Sequence, residues 1–263
     1  SAGSTTLSEA RTGRVQGEGA GTGASAAGRL VLRGAVPADL EATARIHVRL
    51  LPVGFFPALG VRFVRRWHRT FLESPHAVAF VAVEPNAPGD NVGAFLFGST
   101  DEAAHMSALW AERRSVAALT FLAAVSLLGR PGLIRRFVRT RARPWTRRLV
   151  RTISTRSTMQ PHNDAPVAVL SAVAVEPVFQ GSGVGVRLVA LFLERADARG
   201  AAAAELVTLT GPGGADRFYE RLGWSAVGVH TTRDGHTVRS YRYLLASQPG
   251  SPARSIGRAD GSP

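Results

Sequence analysis

Leu170-Ser171-Ala172-Val173-Ala174-Val175-Glu176-Pro177-Val178-Phe179-Gln180-Gly181-Ser182-Gly183-Val184-Gly185-Val186 is the stretch from which the rest of the chain is best read. The apolar run over 167–175 reads as a buried strand. A loop follows, with glycine at positions 181, 183 and 185. Val184, Leu188, Leu191 and Arg195 then recur at helical spacing, and the helix runs on toward Arg199. Strand, glycine loop and helix together aim backbone N–H groups, and the positive end of a helix, at a place where a phosphate can sit.

Two common phosphate-binding loops do not fit. A dinucleotide-binding loop needs G-x-G-x-x-G, and Leu188 stands where its last glycine belongs; no acidic residue follows in the expected register either. A Walker A loop needs lysine, and all 32 basic residues are arginine. With abundant Ala and Gly, that choice fits a GC-rich coding sequence. The formal net charge of +13 does not follow from codon usage, and it calls for an anionic partner. Cysteine is absent, which excludes disulfides, thiolate zinc sites and a thiol nucleophile, and agrees with a cytoplasmic setting. The first residues lack a basic segment followed by an apolar one, so no signal peptide is expected.

The chain has 263 residues. Residues 1–28 and 247–263 are rich in Ser, Ala and Gly and poor in large apolar side chains, so they are expected to be a disordered leader and tail around a domain over 29–246. Within it, strands are expected at 30–36, 77–84, 92–98, 167–175, 202–210, 224–230 and 237–245. Helices are expected from Pro37 to Pro52, from Phe55 to Phe71, from Val184 to Arg199 and over 213–222, where Gly223 supplies a C-cap. Residues 99–165 form an insertion. It begins with one long helix from Asp101 to Leu128 and continues through a strongly basic stretch; from Arg113 to Asn163 there are twelve arginines and no acid. Its apolar run of 13 residues is shorter than the ~20 needed to span a bilayer. The element order predicts an α/β fold: a mixed, mostly antiparallel twisted sheet with helices on both faces and a helical insertion.

A second motif, Phe218-Tyr219-Glu220-Arg221-Leu222-Gly223-Trp224, lies downstream of the glycine loop, at the end of a short helix and before a strand. With Gln180-Gly181-Ser182-Gly183-Val184-Gly185, a Q-x-x-G-x-G pattern, it makes the chain resemble the GCN5-related N-acetyltransferase (GNAT) superfamily over 29–246 apart from the insertion. The resemblance implies a sheet splayed open between 167–175 and 202–210, with an acyl-CoA, most often acetyl-CoA, lying in the opening as co-substrate. The main chain of Val173, Ala174 and Val175 would pair with pantetheine. Gln180, Gly181, Ser182, Gly183, Val184, Gly185 and Val186 would hold the pyrophosphate, with the glycines letting the ligand approach closely. Tyr219 would be the general acid. The family often has an asparagine six residues before the Phe-Tyr pair, and Pro212 stands there instead.

The reaction implied is attack of a primary amine on a thioester, with main-chain N–H groups on the splayed strand stabilising the oxyanion and a phenol protonating the departing thiolate. It needs neither a metal nor a covalent enzyme intermediate, and the seven histidines show no metal-ligand spacing. The general base is open among Asp101, Glu102, His105, His162 and Glu176; Asp101 also reads as a helix cap, and His162 and Asp164 as exposed loop residues. Phe55 and Phe56, between the first two helices, border the acceptor site in this superfamily and are also spaced like core aromatics. The arginine-rich segment 113–156 has three readings: a solvated face of an added helical pair, a contact for an anionic acceptor, or a contact with the inner face of a membrane or a long acyl chain. Nucleic acid is possible by charge, but no recognition motif that interleaves aromatics with the arginines is found, and it is not the expected partner. A small-molecule or peptide amine is the expected acceptor, and a homodimer is left open. The alternative function is a degenerate fold of this family whose basic insert docks on a membrane or an acidic partner.

Overall fold

The structure, a computed structural model, describes residues 30–85, 91–127, 165–211, 214–232 and 235–245. The expected leader and tail, most of the arginine-rich segment, His162, Asp164 and Pro212 lie outside these residues.

Seven strands form one sheet: β1 (Val31–Gly34), β2 (Ala77–Val83), β3 (Val92–Ser99), β4 (Val167–Val175), β5 (Ala203–Leu209), β6 (Ser225–Thr231) and β7 (Thr237–Leu244), in the spatial order β1-β2-β3-β4-β5-β7-β6. All neighbours are antiparallel except β4 and β5. The helices are α1 (Leu40–Leu50), α2 (Phe55–Ala58), α3 (Val61–Glu73), α4 (Glu102–Ala111), α5 (Arg113–Leu127), α6 (Val184–Ala198) and α7 (Asp216–Arg221). The expected fold class is the one observed.

Two cores sandwich the sheet. In β3, which is buried along its whole length, Ala94 and Leu96 face the α6 side, whereas Phe95 and Phe97 face the α1–α3 side. β2 alternates in the same way, with Phe80 and Ala82 toward α6 and Val81 toward the opposite core. A strand covered on both faces must be apolar at every position, which is why 92–98 reads as a continuous run.

β4 changes face midway. Ala168 and Leu170 belong to the α6 core, but Ala172 and Ala174 belong to the other. The register with β3 explains the switch: Phe97 pairs with Ala172 and Gly98 with Leu170, so Ser171 is skipped. One extra residue in a period-2 strand reverses every side chain beyond it and bends the strand. β4 accordingly pairs with β5 only over Val167–Val169 against Ala203–Glu205 and then diverges from it. The opening expected between these strands is present, and the bulge at Ser171 stands next to the place where it begins.

Two expected helices are divided. Gly60, at φ +89°, separates α2 from α3, so Phe55 to Phe71 is not one helix. Glu112 (φ −85°, ψ 86°) separates α4 from α5. Each of these two has its own cap: Asp101 Oδ1 accepts from Ala104 N at 2.9 Å, and Glu112 Oε2 accepts from Ser115 N at 3.0 Å. A carboxylate that satisfies N–H groups of a following first turn favours a new start over continuation. Among the described residues no helix is long and apolar enough to cross a membrane.

Candidate active site

Where β4 and β5 part, a cavity of about 1070 Å³ opens. Its walls come from 170–175 of β4, 206–209 of β5, the loop at 180–181, the start of α6 at 183–186, Phe218, Tyr219 and Arg221 of α7, and the segment 50–57 with His47 and Trp67. One cleft therefore joins the glycine loop, the Phe-Tyr pair and the pair Phe55-Phe56, three segments far apart in sequence.

The end of the cleft at the loop 180–186 is built by glycine. Gly181 (φ +79°) and Gly183 (φ +80°) adopt left-handed backbone, and Gly183 is the N-cap of α6. The N–H groups of Gly181, Gly183, Gly185 and Val186 make no hydrogen bond among the described residues, as expected of a helix N-terminus. Ser182 differs from the expectation. Its N–H donates to the Phe179 carbonyl at 3.3 Å, its hydroxyl donates to the same carbonyl at 2.5 Å, and it does not line the cleft. The Gln180 amide is also engaged, donating to the Val175 carbonyl at 3.1 Å and tying the loop to the end of β4. Gly185 faces Val175 and Phe218: a Cβ there would stand 3.5 Å from Val175 Cγ2 and 3.6 Å from Phe218 Cζ.

Tyr219 sits on α7 with 4% of its surface exposed. Its ring packs against Phe218, Trp224 and Tyr241 at centroid distances of 5.1, 5.8 and 6.0 Å. Its hydroxyl has no hydrogen-bond partner among the described residues. Burial raises its pKa, so the phenol carries its proton throughout the neutral range. Val173, Ala174 and Val175 line the same cleft. Ser171, unpaired in the ladder, lines it beside them.

The residues weighed as bases are scattered. Asp101 caps α4. Glu176 pairs with Arg49 and does not line the cleft. Glu102 and His105 border a second, smaller cavity of about 300 Å³, walled by Phe56, Trp67, Phe71 and Trp110, which shares Phe56, Trp67 and Ser171 with the first. Glu102 accepts from Ser99 Oγ at 2.6 Å, and burial raises its pKa. His105 stacks on Phe71 at 5.0 Å, and its buried Nδ1 has no partner among the described residues.

The sequence reading missed His47. It is 5% exposed, it lines the main cleft, and its Nδ1 lies 3.1 Å from Nε2 of the fully buried His68. His68 Nδ1 in turn lies 3.1 Å from Thr43 Oγ1. A histidine on the apolar side of a helix, beside Leu40 and Ala44, was the available signal.

Burial pushes His47 down to about 4 and holds His68 well below its ordinary range. In an unfolded chain histidine titrates near 6.5. Between those values the unfolded chain takes up protons that the fold refuses. The share of stability that His47 contributes is therefore complete above about pH 6.5, falls as pH drops, and levels off below about pH 4, while His68 adds a loss in the same direction. At about 1.4 kcal/mol per pH unit, His47 contributes roughly 3 kcal/mol to that loss. Urea midpoints at pH 7.5 and 4.5 should show it, and His47→Gln should reduce the difference; an unchanged difference would contradict burial of a neutral imidazole.

A family model described as Acetyltransferase (GNAT) family matches residues 136–224, a span that takes in β4, the glycine loop, β5 and Tyr219. The match to this family covers about a third of the chain. Solved structures agree with the fold. Arabidopsis thaliana NAA60 in complex with acetyl-CoA superposes with a TM-score of 0.50 at 12% identity, covering 82% of this chain and 98% of that one. SsHAT gives 0.50 at 21% identity with the same coverage. Ard1 from Thermoplasma volcanium gives 0.48 at 17% identity over 82% and 98%. No curated protein matches the sequence. At these identities the structural likeness speaks to the fold alone.

Proposed function

We propose that this GNAT domain, spanning 29–246 with 99–165 as an insertion, transfers an acetyl group from acetyl-CoA to a primary amine by direct attack. The observation that carries the reading is one cleft with four N–H groups at one end that have no partner among the described residues, and the Tyr219 phenol on its wall. Acetyl-CoA would lie along β4 past the bulge, its pyrophosphate at Gly181, Gly183, Gly185 and Val186 and its pantetheine beside Val173, Ala174 and Val175. The acetyl-CoA complex of the Arabidopsis relative supports the choice of donor. Ser182 shapes the turn rather than touches the phosphates, because both of its donors go to the Phe179 carbonyl, and Gln180 ties the loop to the end of β4.

The amine enters from the Phe55-Phe56 side. Its nitrogen bonds to the thioester carbon, the carbonyl oxygen gains charge beside the main chain around Ser171, and the C–S bond breaks as Tyr219 gives its proton to the thiolate. The side cavity next to Phe56 and Trp67 supports an acceptor that carries an apolar group of aromatic size.

Release of free thiol from acetyl-CoA, followed with 2-phenylethylamine, butylamine and a short peptide as acceptors, tests the reading. Thiol release that depends on the amine is the expected result, fastest with 2-phenylethylamine. No release with any amine, together with no thermal shift by acetyl-CoA, would refute it. Tyr219→Phe is expected to lower kcat by about tenfold or more with acetyl-CoA binding retained; an unchanged kcat removes Tyr219 from the mechanism.

A further inference from the structure

We infer that His47 is the base of the transfer, held in the required tautomer by a buried relay through His68 and Thr43; the inference rests on the acetyl-transfer reading. The order of donors follows from the far end of the chain of hydrogen bonds. The Thr43 hydroxyl donates to the Leu40 carbonyl at 3.2 Å, which leaves Thr43 Oγ1 to accept from His68 Nδ1–H at 3.1 Å. His68 Nε2 then carries a lone pair and accepts from His47 Nδ1–H at 3.1 Å. His47 Nε2 is left with its lone pair and no partner among the described residues, on a side chain that lines the cleft beside the Phe55-Phe56 entrance.

The rings cannot turn freely. His68 is fully buried and packs on Phe97 at 4.3 Å and Phe95 at 5.4 Å. His47 stacks on Phe95 at 5.9 Å and meets the edge of Trp67 at 5.5 Å. Burial leaves this lone pair of fixed direction unprotonated across the neutral range and weakly basic, so the donor suited to it is the nitrogen of the tetrahedral adduct, which is far more acidic than a free ammonium.

The step balances without another reactant. As the C–N bond forms, nitrogen becomes cationic and at its most acidic, and its proton passes to His47 Nε2. Collapse of the adduct breaks the C–S bond, and the thiolate takes the Tyr219 proton. The imidazolium then returns its proton, through solvent in the cleft, to the tyrosinate. His47 touches the substrate and is the catalytic residue; His68 and Thr43 act through it and are positioning residues.

Two measurements decide the matter. Nitrogen-15 NMR of the ring nitrogens should find both His47 and His68 as the Nδ1–H tautomer in the free protein; His47 as the Nε2–H tautomer overturns the relay. With acetyl-CoA and the fastest amine of the panel above, His47→Gln should lower kcat about a hundredfold while acetyl-CoA affinity stays within twofold of the wild type, and His68→Gln should lower kcat by a smaller factor at the same affinity. Wild-type kcat in His47→Gln, or a fall matched by an equal loss of acetyl-CoA affinity, overturns the catalytic role while leaving acetyl transfer intact. A wild-type protein that acetylates no amine overturns both.

Discussion

Gly183→Asp is expected to weaken acetyl-CoA binding at least a hundredfold, about 2.7 kcal/mol, measured by calorimetric titration. Three effects act at that position. The residue lies at φ +80°, where a side chain costs about 1–2 kcal/mol of backbone strain. No atom lies within 4 Å of a Cβ built there, so the new side chain does not clash with the protein but enters the space a phosphate needs. Its charge then opposes a diphosphate at the positive end of a 15-residue helix. Gly183→Ala carries the strain without the charge and should lose much less affinity, so the pair separates electrostatics from backbone geometry. Equal affinity in Gly183→Asp and wild type would move the phosphate site elsewhere.

Gly98→Ala is expected to destabilise the fold by about 3 kcal/mol, lowering the melting temperature by roughly 6–12 °C. A Cβ at Gly98 would stand 2.7 Å from the Val169 carbonyl oxygen and 2.8 Å from Phe192 Cε2. The first is main chain in the central strand, and the second belongs to a fully buried ring of α6. Neither neighbour is a flexible side-chain end, so relief requires moving β4 at the bulge. The variant should therefore also impair acetyl-CoA binding at temperatures where it remains folded. A melting temperature within 2 °C of the wild type would show that the β3–β4 contact yields without cost.

Much of the frame was readable because the signals are local. The run 167–175 is apolar at nearly every position because both faces of β4 are covered, and Gly183 is at a helix start because a left-handed cap favours glycine. The cleft's composition followed from the family resemblance, and Phe55 and Phe56 do line it. What escaped depends on contacts distant in sequence. The bulge at Ser171 is decided by its register against Gly98 and Phe97, and no residue type marks it. The division of 101–128 turned on whether Glu112 caps or continues a helix, which periodicity does not register. Ser182 looked like a phosphate ligand within its hexapeptide, but Phe179 takes up both of its donors. His47, His68 and Thr43 are separated by 21 and 25 positions along their two hydrogen bonds, so only the packing of α1 against α3 brings them together. The acids weighed as bases were conspicuous by charge, yet a cap and an ion pair occupy Asp101 and Glu176.

The central claim is that the opening between β4 and β5 is an acetyl-CoA site. Amide chemical-shift mapping with acetyl-CoA tests it most directly. The largest changes are predicted at Gly181, Gly183, Gly185 and Val186, with a second group at Val173 and Val175. No perturbation at saturating acetyl-CoA, or changes confined to residues outside the cleft, would contradict it.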